Sequence, residues 1–164
     1  MSSGELAVPT PDDMVALGRR LGAELRAGDL LVLSGELGAG KTTLTRGIGD
    51  GLGVRGSVTS PTFVIARVHP APAGRPPLVH VDAYRLGSLA ELDDLDLDAG
   101  QEDSVTVVEW GLGLAEDLAA ARLELDITRP RGLDIDGEGR SVSWRAFGAR
   151  WAAVALPGLQ AAPA

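Results

Sequence analysis

The chain is 164 residues long, 45% hydrophobic and formally −8 in charge, with two histidines and no cysteine. One domain with a proper core is expected at that length, while disulfides and thiolate metal sites are excluded and little is left for zinc. The acidity and the 4% aromatic content argue against a DNA- or RNA-binding surface of the chain's own, because phosphate contact needs clustered Lys and Arg and base stacking needs rings.

No run approaches the ~18 apolar residues of a membrane span, and the opening MSSGELAVPTPDD lacks a signal-peptide pattern. A cytoplasmic protein without membrane contact is expected. In chain order, residues 6–8 read as a short first strand. Thr10, Pro11, Asp12 and Asp13 form a helix start: an N-cap hydroxyl, proline in first position and acids in the first turn. Met14, Leu17, Leu21 and Leu25 continue it as an apolar stripe, and Gly28 is placed to cap its end. Residues 30–34 (LLVLS) are an apolar run of buried-strand type. Beyond a glycine-rich stretch, Leu44, Ile48 and Leu52 recur every fourth residue as one face of a helix.

A Gly- and Ser-bearing loop over 53–60 leads into 62–68 (TFVIARV), rich in β formers. The Pro-rich stretch 69–77 reads as an exposed connection, hairpinning that strand to 78–82 (LVHVD). Ser88 and Glu91 make a capping box for a short acidic helix, and seven acids lie between Glu91 and Asp103, read as a solvated face. Residues 104–110 (SVTVVEW) are a second buried-strand run, and 111–121 read as helix. Residues 122–128 and 140–147 alternate with period two about a turn at Asp136 and Gly137, which predicts a terminal antiparallel pair. From 146 onward the alanine-rich tail reads as a last helix, fraying from about residue 155.

The chemistry centres on residues 35–43, GELGAGKTT, which fit G-x-x-x-x-G-K-S/T with Gly35, Gly40, Lys41 and Thr42 in the fixed places. Such a loop folds its backbone N–H groups around a polyphosphate; the lysine reaches the β and γ phosphates and the hydroxyl ligates Mg²⁺. Strand, loop and helix follow in order, so the helix dipole adds to the anion site. Lys41 is the chain's only lysine among 15 Lys plus Arg: the position that needs a compact ammonium has kept one. ATP and Mg²⁺ are the expected ligands, because N/T-K-x-D guanine recognition needs a second lysine and the chain also contains no asparagine.

Hydrolysis needs an acid on the magnesium side and a group to orient water. Asp82 and Glu109 both end buried strands, at the carboxyl edge where α/β ligands bind, and spacing alone does not choose between them. Ser60 and Thr62, in Ser60-Pro61-Thr62, stand where γ-phosphate-sensing switch loops lie in many P-loop proteins. His80, Asp82 and Tyr84 alternate along one strand face, His80 as a structural hydrogen-bonding residue. Tyr84 and Arg85 orient Asp82 or meet a partner.

GELGAGKTT, then SPTF (60–63), HVDAYRL (80–86) and VVEW (107–110), resembles the signature series of the bacterial TsaE (YjeE) ATPases, in order and spacing, from about Thr10 to Gly139-Arg140. The resemblance implies an α/β P-loop NTPase fold with a mixed, mostly parallel central sheet flanked by helices and antiparallel C-terminal strands. It implies an ATPase needed for threonylcarbamoyladenosine modification of tRNA beside the anticodon, which docks on the TsaB–TsaD heterodimer and resets it between cycles, meeting tRNA only indirectly. By motif, Leu37, Gly38, Ala39, Gly40, Lys41, Thr42 and Thr43 hold the phosphates. Thr42 and Glu109 hold Mg²⁺, leaving Asp82 to activate or orient water. Trp110 packs beside the site and Arg140 approaches the nucleotide. The first helix departs from the family in lacking a threonine one turn in, where adenine contacts are expected. Two other readings are a small-molecule kinase, with Arg129 and Arg131 as lid arginines, and a nucleotide-gated binding module with negligible turnover.

Overall fold

The computed structural model describes residues 2–36, 38–54, 66–82, 102–109, 120–129 and 139–152. Seven strands make one sheet in the order β1-β7-β6-β2-β5-β4-β3: β1 (Ser2–Val8), β2 (Leu30–Gly35), β3 (Ala66–His69), β4 (Leu78–Asp82), β5 (Val105–Glu109), β6 (Arg122–Thr128) and β7 (Arg140–Phe147). The helices are α1 (Pro11–Glu24), α2 (Lys41–Leu52) and a single turn, α3 (Ala149–Ala152). Strands β6, β2, β5 and β4 run parallel, while antiparallel β7 and β1 extend one edge and β3 the other.

Strand β2 is buried over Leu30, Leu31, Val32 and Leu33, and all of β5 is buried, as strands in the interior of a covered parallel sheet must be. The predicted pair β6–β7 forms, with Leu123, Leu125 and Ile127 facing the core, but β6 also pairs in parallel with β2 over Leu31–Gly35. It is therefore an interior strand. The first strand is longer than the expected 6–8, because Ser2 to Val8 ladder with Ala146 to Arg140; cross-strand bonding extends a segment that carries no apolar run. Gly4 in it lies under Trp144, where a Cβ would come within 2.8 Å of the indole.

Thr10 caps α1 as its sequence predicts, accepting from Asp13 N at 3.1 Å with Pro11 next in line. The helix ends earlier than expected: Leu25 is its C-cap, and Gly28 (φ 94°) instead turns the chain toward β2, donating to Ser104 O at 2.9 Å. His69 was expected in the loop but closes β3 and is buried, and the exposed connection begins at Pro70.

Helices α1 and α2 touch backbone to backbone. A Cβ on Gly18 would lie 2.5 Å from Leu44 O, on Gly22 2.4 Å from Ile48 O, on Gly47 2.3 Å from Val15 O and on Gly51 2.3 Å from Arg19 O. Two G-x-x-x-G steps thus interlock, while Met14, Leu17, Leu21, Leu44, Ile48 and Leu52 fill the space to the sheet. At the other end of the sheet, Arg150 grips Asp29 through Nε to Oδ1 (3.0 Å) and Nη2 to Oδ2 (3.1 Å), with its guanidinium 4.6 Å from the Trp151 ring. The acidic helix from Ser88, the helix at 111–121, the turn at Asp136 and Gly137, Arg131 and the tail beyond Ala152 lie outside the described residues.

Candidate nucleotide site

The site forms where β2 gives way to α2. Gly35 (φ 146°), Gly38 (φ 76°) and Gly40 (φ 119°) carry the loop through left-handed conformations, which only glycine adopts without strain. Gly40 is the N-cap of α2 and brings no side chain to its first turn; intrahelical bonding starts with Leu44 N to Gly40 O, 2.9 Å. The first-turn donors are thereby presented to whatever the loop encloses.

Two arginines hold the loop from outside. Arg129, just past β6, donates to Gly38 O at 3.0 Å, and Arg140, opening β7, donates to Ala39 O at 3.0 Å. With carbonyls engaged there, the backbone is braced on the side away from an anion. Arg140 was expected near the nucleotide; it meets the P-loop backbone and also lines the cavity beside α1. The brace by Arg129 was not foreseen, because its sequence neighbours suggested a lid.

Lys41 is 5% exposed, and its Nζ donates to Gly35 O (2.8 Å) and Glu36 O (2.9 Å). Burial pushes the ammonium below its usual 10.5, against the upward pull of Glu109, Asp82 and Asp126. Next to it, Thr42 Oγ1 donates to Glu109 Oε1 at 3.2 Å. Glu109 ends β5, and Asp82 ends β4 directly opposite it in the ladder. Both acids are buried, 3% and 7% exposed. His80 Nε2 lies 3.0 Å from the same Glu109 oxygen. The sequence marked His80 as sharing a face with Asp82 and as a structural hydrogen-bonding residue; its partner, Glu109, depends on β4 and β5 being neighbours.

Among the described residues no cluster of three His, Asp or Glu side chains could hold a metal alone. A magnesium ion in a phosphate site takes one or two protein oxygens and completes its shell with phosphate and water. The paired oxygens of Thr42 and Glu109 fit that donor set. On the other side of the loop a cavity of about 150 Å³ is lined by Thr10, Met14, Ala39, Thr43 and Arg140 among others. The wall next to α1 is thus made by the N-cap and first-turn residues themselves. Leu37, Ser60, Thr62, Tyr84, Arg85 and Trp110 lie outside the described residues.

Comparison with known proteins follows the same outline. The family model described as threonylcarbamoyl adenosine biosynthesis protein TsaE matches residues 8–134. A curated tRNA threonylcarbamoyladenosine biosynthesis protein TsaE from Streptomyces coelicolor is 65% identical over 140 residues, covering 85% of this chain and 94% of that protein. One of the same description from Mycobacterium leprae is 48% identical, with 88% and 92% covered. The crystal structure of Bacillus subtilis YdiB superposes with a TM-score of 0.71 at 30% identity, covering 92% of this chain and 89% of that one. No described helix is long and apolar enough to cross a membrane.

Proposed function

The chain belongs to the TsaE family of tRNA threonylcarbamoyladenosine biosynthesis, and on that premise we propose that it binds and hydrolyses MgATP and acts on the TsaB–TsaD complex to reset it between cycles. The observation that carries this reading is the meeting of Thr42 and Glu109 at 3.2 Å beside Lys41, with Asp82 on the adjacent strand. That arrangement combines a phosphate cradle with an oxygen pair and a second acid.

In this reading the backbone of Gly38, Ala39, Gly40, Lys41, Thr42 and Thr43 binds the phosphates. The Lys41 ammonium leaves the carbonyls of Gly35 and Glu36 for the β and γ phosphates. Thr42 and Glu109 hold Mg²⁺, which when bound neutralises charge on the phosphate oxygens. Asp82 orients a water in line with the γ phosphate; the water oxygen bonds to the γ phosphorus as its bond to the β–γ bridging oxygen breaks, that oxygen leaves on ADP, and the water's proton passes to the released phosphate. The nucleoside occupies the cavity beside Thr10 and Met14. Switch contacts fall to Ser60 and Thr62, and partner contacts to Tyr84, Arg85 and Trp110. The chain's −8 charge supports a division of labour in which the partner holds the tRNA.

The test is phosphate release from MgATP by the purified chain, alone and with TsaB–TsaD, for the natural sequence and Glu109→Ala. Release that depends on Glu109 and rises with the partners is expected. No release under either condition, with Glu109→Ala unchanged, sinks the proposal. A phosphorylated acceptor in place of free phosphate identifies a kinase.

A further inference from the structure

We propose that His80 is a positioning residue for the magnesium site: its Nε2–H anchors the Glu109 carboxylate when the Thr42 hydroxyl is drawn away to the metal. The inference rests on the reading of Thr42 and Glu109 given above and goes beyond it in assigning His80.

Among the described residues Glu109 Oε1 has two donors, Thr42 Oγ1 at 3.2 Å and His80 Nε2 at 3.0 Å. The two reach it from different elements. Thr42 stands in the first turn of α2, while His80 comes from the middle of β4, opposite Val107 and two residues before Asp82. The hydroxyl is the group a bound cation recruits in a P-loop site. Once it turns to the cation, His80 is what continues to hold Oε1. The imidazole suits this role because it is rigid and wholly enclosed: its side chain is 0% exposed and that of Glu109 4%. Water therefore has little room to substitute for it.

The ring's orientation is constrained as well. A carboxylate only accepts, so the nitrogen facing it carries the hydrogen. His80 Nδ1 is buried and has no hydrogen-bond partner among the described residues. A buried lone pair is less costly to strand than a buried N–H, so the Nε2–H form is the one this pocket favours. The entire polar function of the side chain is then directed at one oxygen of Glu109. Partners of this kind, one step removed from a metal, fix a ligand's rotation and raise its affinity for the ion.

The experiment measures ADP affinity by calorimetry on the full chain, without Mg²⁺ and across a Mg²⁺ titration, for the natural sequence, His80→Leu, His80→Gln and Glu109→Gln. His80→Leu should raise the Mg²⁺ midpoint about tenfold while leaving Mg²⁺-free ADP affinity unchanged within about twofold, because the phosphate cradle is untouched. His80→Gln, whose amide nitrogen reaches the position of Nε2, should restore the midpoint. If His80→Leu does not fold, His80→Asn replaces it with the same expected rise, since its amide ends at the level of Nδ1, short of Glu109.

A natural midpoint retained in His80→Leu, with Glu109→Gln shifted, overturns the role of His80 and leaves the metal assignment standing. Equal weakening of ADP with and without Mg²⁺ also overturns it, since that marks a packing role. An unshifted Glu109→Gln removes the metal assignment itself, and the inference falls with it.

Discussion

Gly47→Ala tests the α1–α2 contact most directly. The added Cβ would stand 2.3 Å from the Val15 carbonyl oxygen and 2.9 Å from the Gly18 Cα. A carbon–oxygen contact needs roughly 1 Å more, and the obstacle is backbone on both sides, so the helices must part. Overpacking of this sort costs about 1–3 kcal/mol, offset by the about 0.5–1 kcal/mol that alanine gains over glycine inside a helix. At the middle of both ranges a net loss of about 1 kcal/mol remains, which for a chain of this size lowers Tm by about 2–4 °C. Thermal unfolding followed by circular dichroism measures it. Gly139→Ala is the control, since among the described residues a Cβ there meets only Pro9 O, at 3.8 Å; its stability should stay within about 0.5 kcal/mol. A Tm for Gly47→Ala equal to or above that of the natural chain refutes the argument, because helix propensity would then have outweighed the contact.

Lys41 can be followed alone, as the only lysine. Its Nζ resonance in ¹⁵N-lysine-labelled protein should titrate below the ordinary 10.5, because burial lowers it; a midpoint at or above 10.5 contradicts that. The linkage follows in sign: the unfolded chain binds this proton more tightly, so the burial cost is carried below the folded midpoint and relieved as pH climbs through it toward 10.5. Lys41→Ala should lose productive ATP handling with an unchanged circular dichroism spectrum, and an unfolded variant would show that the side chain is structural. Asp29→Ala removes the two Arg150 bonds to its carboxylate, leaving the one from Nη2 to Glu24 O, and removes the acceptor for Arg26 N at 2.9 Å. Given that Arg150 keeps some solvent access, a loss of about 2 kcal/mol is expected by chemical denaturation. A change below about 0.5 kcal/mol, the ordinary surface range, would mean that the pair contributes little.

What could be read from the sequence was what is encoded locally. The Thr10-Pro11 helix start, the glycine loop and the β3–β4 hairpin each declare themselves within a few residues, through cap, backbone or turn chemistry. The position of β6 does not: a period-two strand looks half-exposed, and only the order of the sheet makes it a neighbour of β2. The polar Ser2–Glu5 segment has no signal at all until β7 lies beside it. At the site, Asp82 and Glu109 were indistinguishable as strand-ending acids. The family resemblance told them apart, and the contact of Thr42 with Glu109 depends on where α2 is set down. The partners of His80 and Arg129 were missed for the same reason, lying 29 and 91 residues away in the chain.

The interlocked glycines also bear on the layout of the site. Helix α1 supplies the Thr10 and Met14 wall of the 150 Å³ cavity, and α2 supplies the first turn of the phosphate cradle. Because their backbones are in direct contact over two turns, one helix–helix spacing sets both the Thr10 and Met14 wall and the first turn of α2.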